Sequence, residues 1–498
     1  MILLPLLVFL ALLVLVSIFA DRHLKASSFT SRYFVGDRTL TGFVLAMTLV
    51  ATYGSVSSFV SGPGVAWRLG LGWVVFAAPQ IIAGFLILGV AGKKLALVAR
   101  ATGALTVIDV IRARYGQSRT TQVLAVLLAL LMLLFFTTMM VGQFIGGAQI
   151  FSQAANLDYK EALLLFGCVT VLYTSFGGFR AVALTDMVCA ILMLAGMFLL
   201  GAEILHEGGG LTAVMSNVAK IAPTGAGSEG TLLTPTSGGA LGIPLLLSAW
   251  VLVGFGTLGL PQSAVRCLSY QKSSDLHRAM FISTLVCGAL MIGMTTLGVF
   301  IRGVMDVPLA SLGSTDAMMP TFIATHMSPT VAGITLIGPL AATMSTVSSL
   351  LLAASSAIVK DLLLTWRPEW EKTSPAGLKR FTKGVTTVIG VVALLLALYP
   401  VDIIAWINLF AFGGLELAFL LPLIGGLFWA RATATGALLS VVGSIAVYLG
   451  ISITKWSFFG FHAIVPSMIV AVLLYGVGSL MSRPTTPRPL AFFPPNPR

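Results

Sequence analysis

Apolar runs long enough to cross a bilayer recur from Leu3 to Leu480. A run of about 20 apolar residues crosses as a helix, because in hydrocarbon every backbone N–H and C=O must be paired within the segment. Thirteen such segments are predicted, at about residues 2–20, 41–66, 71–91, 121–152, 160–177, 183–205, 242–263, 278–301, 330–363, 381–400, 402–429, 432–453 and 463–481. Of the 498 residues, 57% are hydrophobic and only 9% charged. A soluble domain carries about 25% charged residues, so no water-facing surface can be covered here. The expected fold is an all-α polytopic membrane protein. A single transmembrane domain fills residues 1–481, and a Pro-rich tail, 482–498, is expected to be disordered.

Loop charge orients the chain. With the N-terminus outside, 24 of the 29 Lys and Arg fall on the cytoplasmic side. Arg68, Lys160, Lys220, Arg302 and Lys455 fall outside. This is a strong positive-inside asymmetry, and an error of one segment would scramble it. The expectation is a multi-pass protein of the bacterial inner membrane with its C-terminus in the cytoplasm and lipid as its surroundings. The net charge of +12 does not point to nucleic acid, because the basic residues are spread over short loops instead of one patch. Met1–Ala20 has no basic leading region and no clear cleavage site, so it reads as a span and not a signal peptide. Cys168, Cys189, Cys267 and Cys287 have no CxxC spacing and read as small buried hydrophobes. The external stretch His206–Gly239 is expected to be mobile, and Gly303–Ser328 to hold a short helix.

Two segments are interrupted. Segment 2 runs Ala51-Thr52-Tyr53-Gly54-Ser55-Val56-Ser57-Ser58 and on to Gly62-Pro63-Gly64. Segment 7 runs Trp250-Val251-Leu252-Val253-Gly254-Phe255-Gly256-Thr257-Leu258-Gly259-Leu260-Pro261-Gln262. Broken helices at corresponding places in two halves of a chain point to the midplane site of an inverted-repeat transporter. The break frees carbonyls for a cation and exposes helix ends to an anion. Either segment alone could be a glycine-rich packing helix; the correspondence favours a site. In segment 9, Ala342, Ser345 and Thr346 are spaced i, i+3, i+4 and share one face. Their oxygens suit a small hard cation, but hydroxyls also bond back to their own helix. Spacing leaves both readings open.

The chain resembles the sodium/solute symporter family. The resemblance runs from about Tyr33 to Pro466 and rests on ordered motifs. They include Tyr33-Phe34-Val35-Gly36, the run from Ala46 to Gly64, Gly89-Val90-Ala91-Gly92-Lys93-Lys94 and Gln143-Phe144-Ile145-Gly146-Gly147-Ala148. Tyr173 to Arg180, Gly259-Leu260-Pro261, Ala264-Val265-Arg266-Cys267, Met344-Ser345-Thr346 and Ala411-Phe412-Gly413-Gly414-Leu415-Glu416 continue the series, which closes on Gly460-Phe461-His462 and Ile464-Val465-Pro466. The resemblance implies a LeuT-type core with two inverted five-helix repeats, segments 2–6 (residues 41–205) and 7–11 (residues 242–429). It implies Na+ as the coupling ion, held by the carbonyls of Ala51, Gly54 and Ala342 and the hydroxyls of Ser345 and Thr346. Asp186 resembles an acid near the family's inward sodium exit. The family's pantothenate branch is the nearest in motif, which makes pantothenate the implied solute. The proline branch carries an acid where this chain has Tyr53, and that departure speaks against proline.

Glu416 is the only ionisable residue expected near the middle of a segment, and no Lys or Arg is expected deep in a helix. A carboxylate solute would therefore rely on a helix N-terminus, hydroxyls and the field of the ion. The substrate-contact candidates are Ser57, Ser58, Gln80, Gln143, Trp250, Phe255, Gln262 and Glu416. Each could equally be a satisfied packing residue; the glutamines rank first because an unpaired amide is costly in lipid. Activities of other classes find little support. There is no GxxxxGK[ST] for a pump, no HExxH or nucleophile–base set for an enzyme, and no filter loop for a channel. A family symporter for another solute, such as proline, a sugar acid or a monocarboxylate, is the main alternative. The sequence carries no sign of oligomeric partners.

Overall fold

The computed structural model describes residues 2–20, 29–176, 178–222, 228–400 and 402–483. Among them the chain is helical, with two isolated bridges and no strand. The main helices are α1 (Leu3–Ala20), α2 (Gly42–Tyr53 with Ser57–Leu69), α3 (Leu71–Thr102), α4 (Arg119–Ala155), α5 (Tyr159–Phe176), α6 (Phe179–Glu207) and α7 (Ile243–Gly259 with Pro261–Cys267). They continue as α8 (Ser273–Val304), α9 (Pro329–Trp366), α10 (Pro375–Leu396), α11 (Ile404–Phe428), α12 (Ala434–Thr454) and α13 (Ile464–Met481). Each predicted segment thus has its helix. Eight are long and apolar enough to span outright, and α2 and α7 do so as bent pairs. The other three are α1, α5 and α10; α10 opens with Lys379, Arg380 and Lys383, which lowers its apolar length.

Both breaks have local causes. The α2 halves meet at 66°. Gly54 leaves the helix in an extended conformation (φ −70°, ψ 117°), and the freed N–H of Val56 donates to Gln143 Oε1 of α4 at 3.0 Å. A buried N–H that loses its helical acceptor needs such a partner. The α7 halves meet at 46°. Pro261 has no N–H and forces Leu260 into an extended conformation (φ −75°, ψ 110°).

The outside of the bundle is apolar and the inside holds the hydroxyls. Phe281 and Leu285 of α8 are 72% and 75% exposed, as lipid-facing residues should be, whereas Ser345, Thr346, Ser348 and Ser349 of α9 are buried. The helices α9 and α11 are the most enclosed of the spans. The helix α8 meets α2 backbone to backbone, since a Cβ on Gly298 would overlap the Pro63 carbonyl; a Cβ on Gly64 of α2 would overlap the carbonyl of Thr315, in the connection that follows α8.

Two expectations need correction. The stretch after α6 is largely ordered: Leu211–Lys220 is a helix that buries Val214 and Val218, and Asn217 donates to the Gly303 carbonyl at the end of α8. Its residues 223–227 lie outside the described residues, as does the tail from 484 onward. Of the cysteines, Cys168 is exposed and only Cys189, Cys267 and Cys287 are buried. Between Gly303 and Ser328 the expected short helix is present, as Leu309–Leu312 and Met318–His326.

Candidate functional site

The α2 break lies against α9. Ser345 Oγ is 2.9 Å from the Ala51 carbonyl and 3.2 Å from that of Ala342. Thr346 Oγ1 is 3.2 Å from the Gly54 carbonyl and 2.9 Å from that of Ala342. Each hydroxyl has one proton to donate, so these contacts are alternatives within one knot of five buried oxygens. Ala51 and Gly54 can offer their carbonyls because the helix stops there. None of these five oxygens carries a net charge. That donor set suits a weakly held alkali cation better than a divalent one, which draws on carboxylates.

One helical turn further along, Asp186 of α6 and Arg266 of α7 form a buried ion pair at 3.2 Å. Arg266 also donates to Thr48 O (3.2 Å), Thr48 Oγ1 (3.2 Å), Gln262 O (2.6 Å) and Ser349 Oγ (2.6 Å). Asp186 Oδ2 accepts from Thr48 Oγ1 at 2.7 Å, while Oδ1 has no partner. The expectation was that no Lys or Arg lies deep in a helix; Arg266 sits in the last turn of its helix but is buried in the protein, 3% exposed. The helix that restarts at Pro261 turns inward, and Arg266 goes with it instead of ending in a loop.

A partly open cavity, about 570 Å³ including its open mouth, lies beside the α2 break. Ser57, Ser58 and Gln80 line it, as expected. Tyr53 and Asn408 line it too, and neither was among the candidates. Asn408 Nδ2 donates to Ser57 Oγ at 2.9 Å, and its buried Oδ1 has no partner. An amide in the apolar segment 11 was a legible signal. Tyr53 donates to the Val253 carbonyl at 3.1 Å. Among the described residues, no ionisable acid or base other than Tyr53 lines this cavity.

The other candidates lie elsewhere. Trp250 and Phe255 are 49% and 44% exposed, and the cavity is faced by Val253 from the same helix. Gln143 caps the α2 break. Gln262 faces a second cavity, of about 360 Å³, together with Arg266 and Ser349. Glu416 is fully buried against Gly256 in the α7 break, with neither carboxyl oxygen hydrogen-bonded. Asp316 caps the N-terminus of α11. It accepts from Ser61 Oγ (2.5 Å) and from the Ile404 N–H (2.9 Å), while Ser61 accepts from the Ala405 N–H (2.9 Å). Burial pushes the Asp316 carboxyl up, Ser61 and the Ile404 N–H draw it back, and Asp402 adds a smaller rise.

The sequence pattern of the sodium:solute symporter family matches residues 33–443. The chain belongs to this family. It is therefore a multi-pass membrane protein and a sodium-coupled secondary active carrier, not an enzyme, and its substrate is a small molecule. Two similar relatives are the sodium/pantothenate symporters of Escherichia coli (strain K12) and Haemophilus influenzae, 41% and 39% identical, each over 96% of both chains. The osmoregulated proline transporter OpuE of Bacillus subtilis is 28% identical over 92% of this chain and 91% of its own. Among solved structures, the substrate-bound outward-open state of a Na+-coupled sialic acid symporter has a TM-score of 0.73 at 19% identity, covering 96% and 97% of the two chains. A nucleobase-cation-symport-1 family transporter, closed with bromovinylhydantoin bound, has a TM-score of 0.55 at 18% identity, covering 89% and 92%. The fold is thus the LeuT-type arrangement that the family resemblance implied.

Proposed function

We propose that this symporter carries pantothenate into the cell together with sodium, by alternating access. The observation that carries the reading is the juxtaposition of two features: a cavity lined, among the described residues, by hydroxyls and amides and no charged group, and the five-oxygen knot where α2 breaks against α9. Similarity to two sodium/pantothenate symporters over nearly the whole chain supports the choice of solute. Pantothenate has hydroxyls and an amide remote from its carboxylate, and these match Ser57, Ser58, Gln80 and Asn408. Sodium takes the carbonyls of Ala51, Gly54 and Ala342 and the hydroxyls of Ser345 and Thr346. Asp186 stands on the ion's way out. The loop charges support an N-terminus outside and a cytoplasmic C-terminus. Residues 41–205 and 242–429 form the two inverted repeats of one transporter domain. The test is labelled pantothenate uptake into proteoliposomes. Uptake should follow an inward sodium gradient and be weak in choline. Equal uptake in choline removes sodium coupling, and sodium-driven uptake of proline but not pantothenate removes the solute.

A further inference from the structure

The helix α9 carries oxygens beyond the sodium knot. Ser349 follows Ser345 by one turn and joins the Asp186–Arg266 pair, at 3.3 Å from Asp186 and 2.6 Å from Arg266. Ser356 lies two turns further on. The helix then widens to π turns over Ala357–Leu363, which brings Asp361, five residues on, to the same side. Two cavities follow this line. The first, with Gln262, Arg266 and Ser349, ends at Ser356. The second, of about 230 Å³, begins at Ser356 and ends at Thr106 and Asp361. They share Val265, Ala353 and Ser356, and neither shares a residue with the solute cavity.

Asp361 is fully buried. Its Oδ1 accepts from Thr106 Oγ1 at 2.5 Å, and its Oδ2 has no hydrogen-bond partner among the described residues. A purely structural acid looks different: both oxygens of Asp316 are capped. A carboxylate oxygen left bare in a dry place needs a cation or a proton. The neighbouring cations do not supply it. Arg112 donates to the Asp361 main-chain carbonyl (2.7 Å) and to Thr365 Oγ1 (2.5 Å), and Lys360 reaches Asp109 at 3.9 Å.

We propose that Asp361, with Thr106 and Ser356, is a second and weaker station for a monovalent cation, through which the coupling ion leaves the carrier. This rests on the sodium reading of the α2–α9 knot. Arg112 and Lys360 offset Asp361 and Asp109, so the station attracts an ion without trapping it, as an exit requires.

Right-side-out membrane vesicles preloaded with graded sodium test this. The quantity read is the internal sodium concentration that halves labelled pantothenate uptake at fixed external sodium. Asp361→Asn should raise it about tenfold, Asp361→Glu should stay near wild type, and Ser356→Ala should raise it about threefold. The external half-saturating sodium should move less than twofold in all three. An unchanged internal titration in Asp361→Asn, or an equal shift on both sides, overturns the station. If Asp361→Asn does not reach the membrane, Ser356→Ala decides, and no shift there overturns it. Ser345→Ala separates the two readings: a raised external requirement there, beside an unmoved Asp361→Asn, removes the station and leaves the α2–α9 site standing.

Discussion

Removing Arg266 should unbalance the protein more than removing its partner. The guanidinium makes contacts with Thr48, Gln262, Asp186 and Ser349 and is 3% exposed. Arg266→Met keeps the length of the side chain but leaves the Asp186 carboxylate buried with only hydroxyls beside it. Stripping one partner from a buried ion pair costs about 3–5 kcal/mol. Asp186→Asn is milder. It keeps an oxygen for Thr48 and Ser349 and leaves Arg266 its four other acceptor atoms, so about 1–3 kcal/mol is expected, the cost of one weakened charged hydrogen bond. The double variant removes both charges together, and its loss should fall short of the sum of the single losses by about 2 kcal/mol, within the range of coupling between contacting residues. The assay is unfolding of the purified protein in mixed micelles by titration with sodium dodecyl sulfate, on all four proteins under one condition. Losses that add to within about 0.5 kcal/mol, the scatter of independent sites, would refute the reasoning, since the two charges would then not be stabilising each other.

Ser345→Ala and Thr346→Ala should each raise the sodium concentration for half-maximal uptake about tenfold, equivalent to about 1.4 kcal/mol; unchanged sodium titrations in both would exclude these hydroxyls from the site. Glu416→Gln should express and keep its half-saturating pantothenate within twofold, because Glu416 packs on the α7 break and not on the cavity. A severalfold rise would return it to the solute. His462 is pushed down to about 4 by burial, and its Nδ1 accepts the Ile464 N–H. Its folded value lies below the unfolded one of about 6.5, so the unfolded chain binds the proton first. The stability it lends is present above pH 6.5 and is lost as pH falls toward 4. His462→Gln should flatten the difference between thermal midpoints at pH 7.5 and 5, and an unaltered difference would clear His462 of this role.

The helices and both breaks were legible because their causes are local. Apolar length sets the spans, Pro261 breaks α7, and the Gly54-Ser55 step breaks α2. The oxygens on α9 were legible only in part: spacing put Ala342, Ser345 and Thr346 on one face, and the α2 carbonyls opposite them came from the family resemblance. What failed to show was orientation along a broken helix. From Trp250 to Gly254 the chain winds as π turns and from Phe255 to Gly259 as 3-10 turns. A period of 3.6 residues therefore loses register, and Trp250 and Phe255 turn outward while Val253 faces the cavity. Arg266 was hidden for the same reason. A charge counted along the sequence looked like a loop residue, yet the restarted helix carries it into the interior.

The glycine seam of α2 against α8 and the connection after it sets where this sequence can vary. Gly298 of α8 faces the Pro63 carbonyl, and Gly64 of α2 faces the carbonyl of Thr315 in that connection, so neither position has room for a single added carbon. Ser57, Ser58, Gln80 and Asn408 border open space instead. Under selection for a new nutrient, change would accumulate at those four positions, and survivors would keep glycine at both seam sites. The mutational freedom of the protein is thus greatest around its cargo and least along a contact that never meets the cargo.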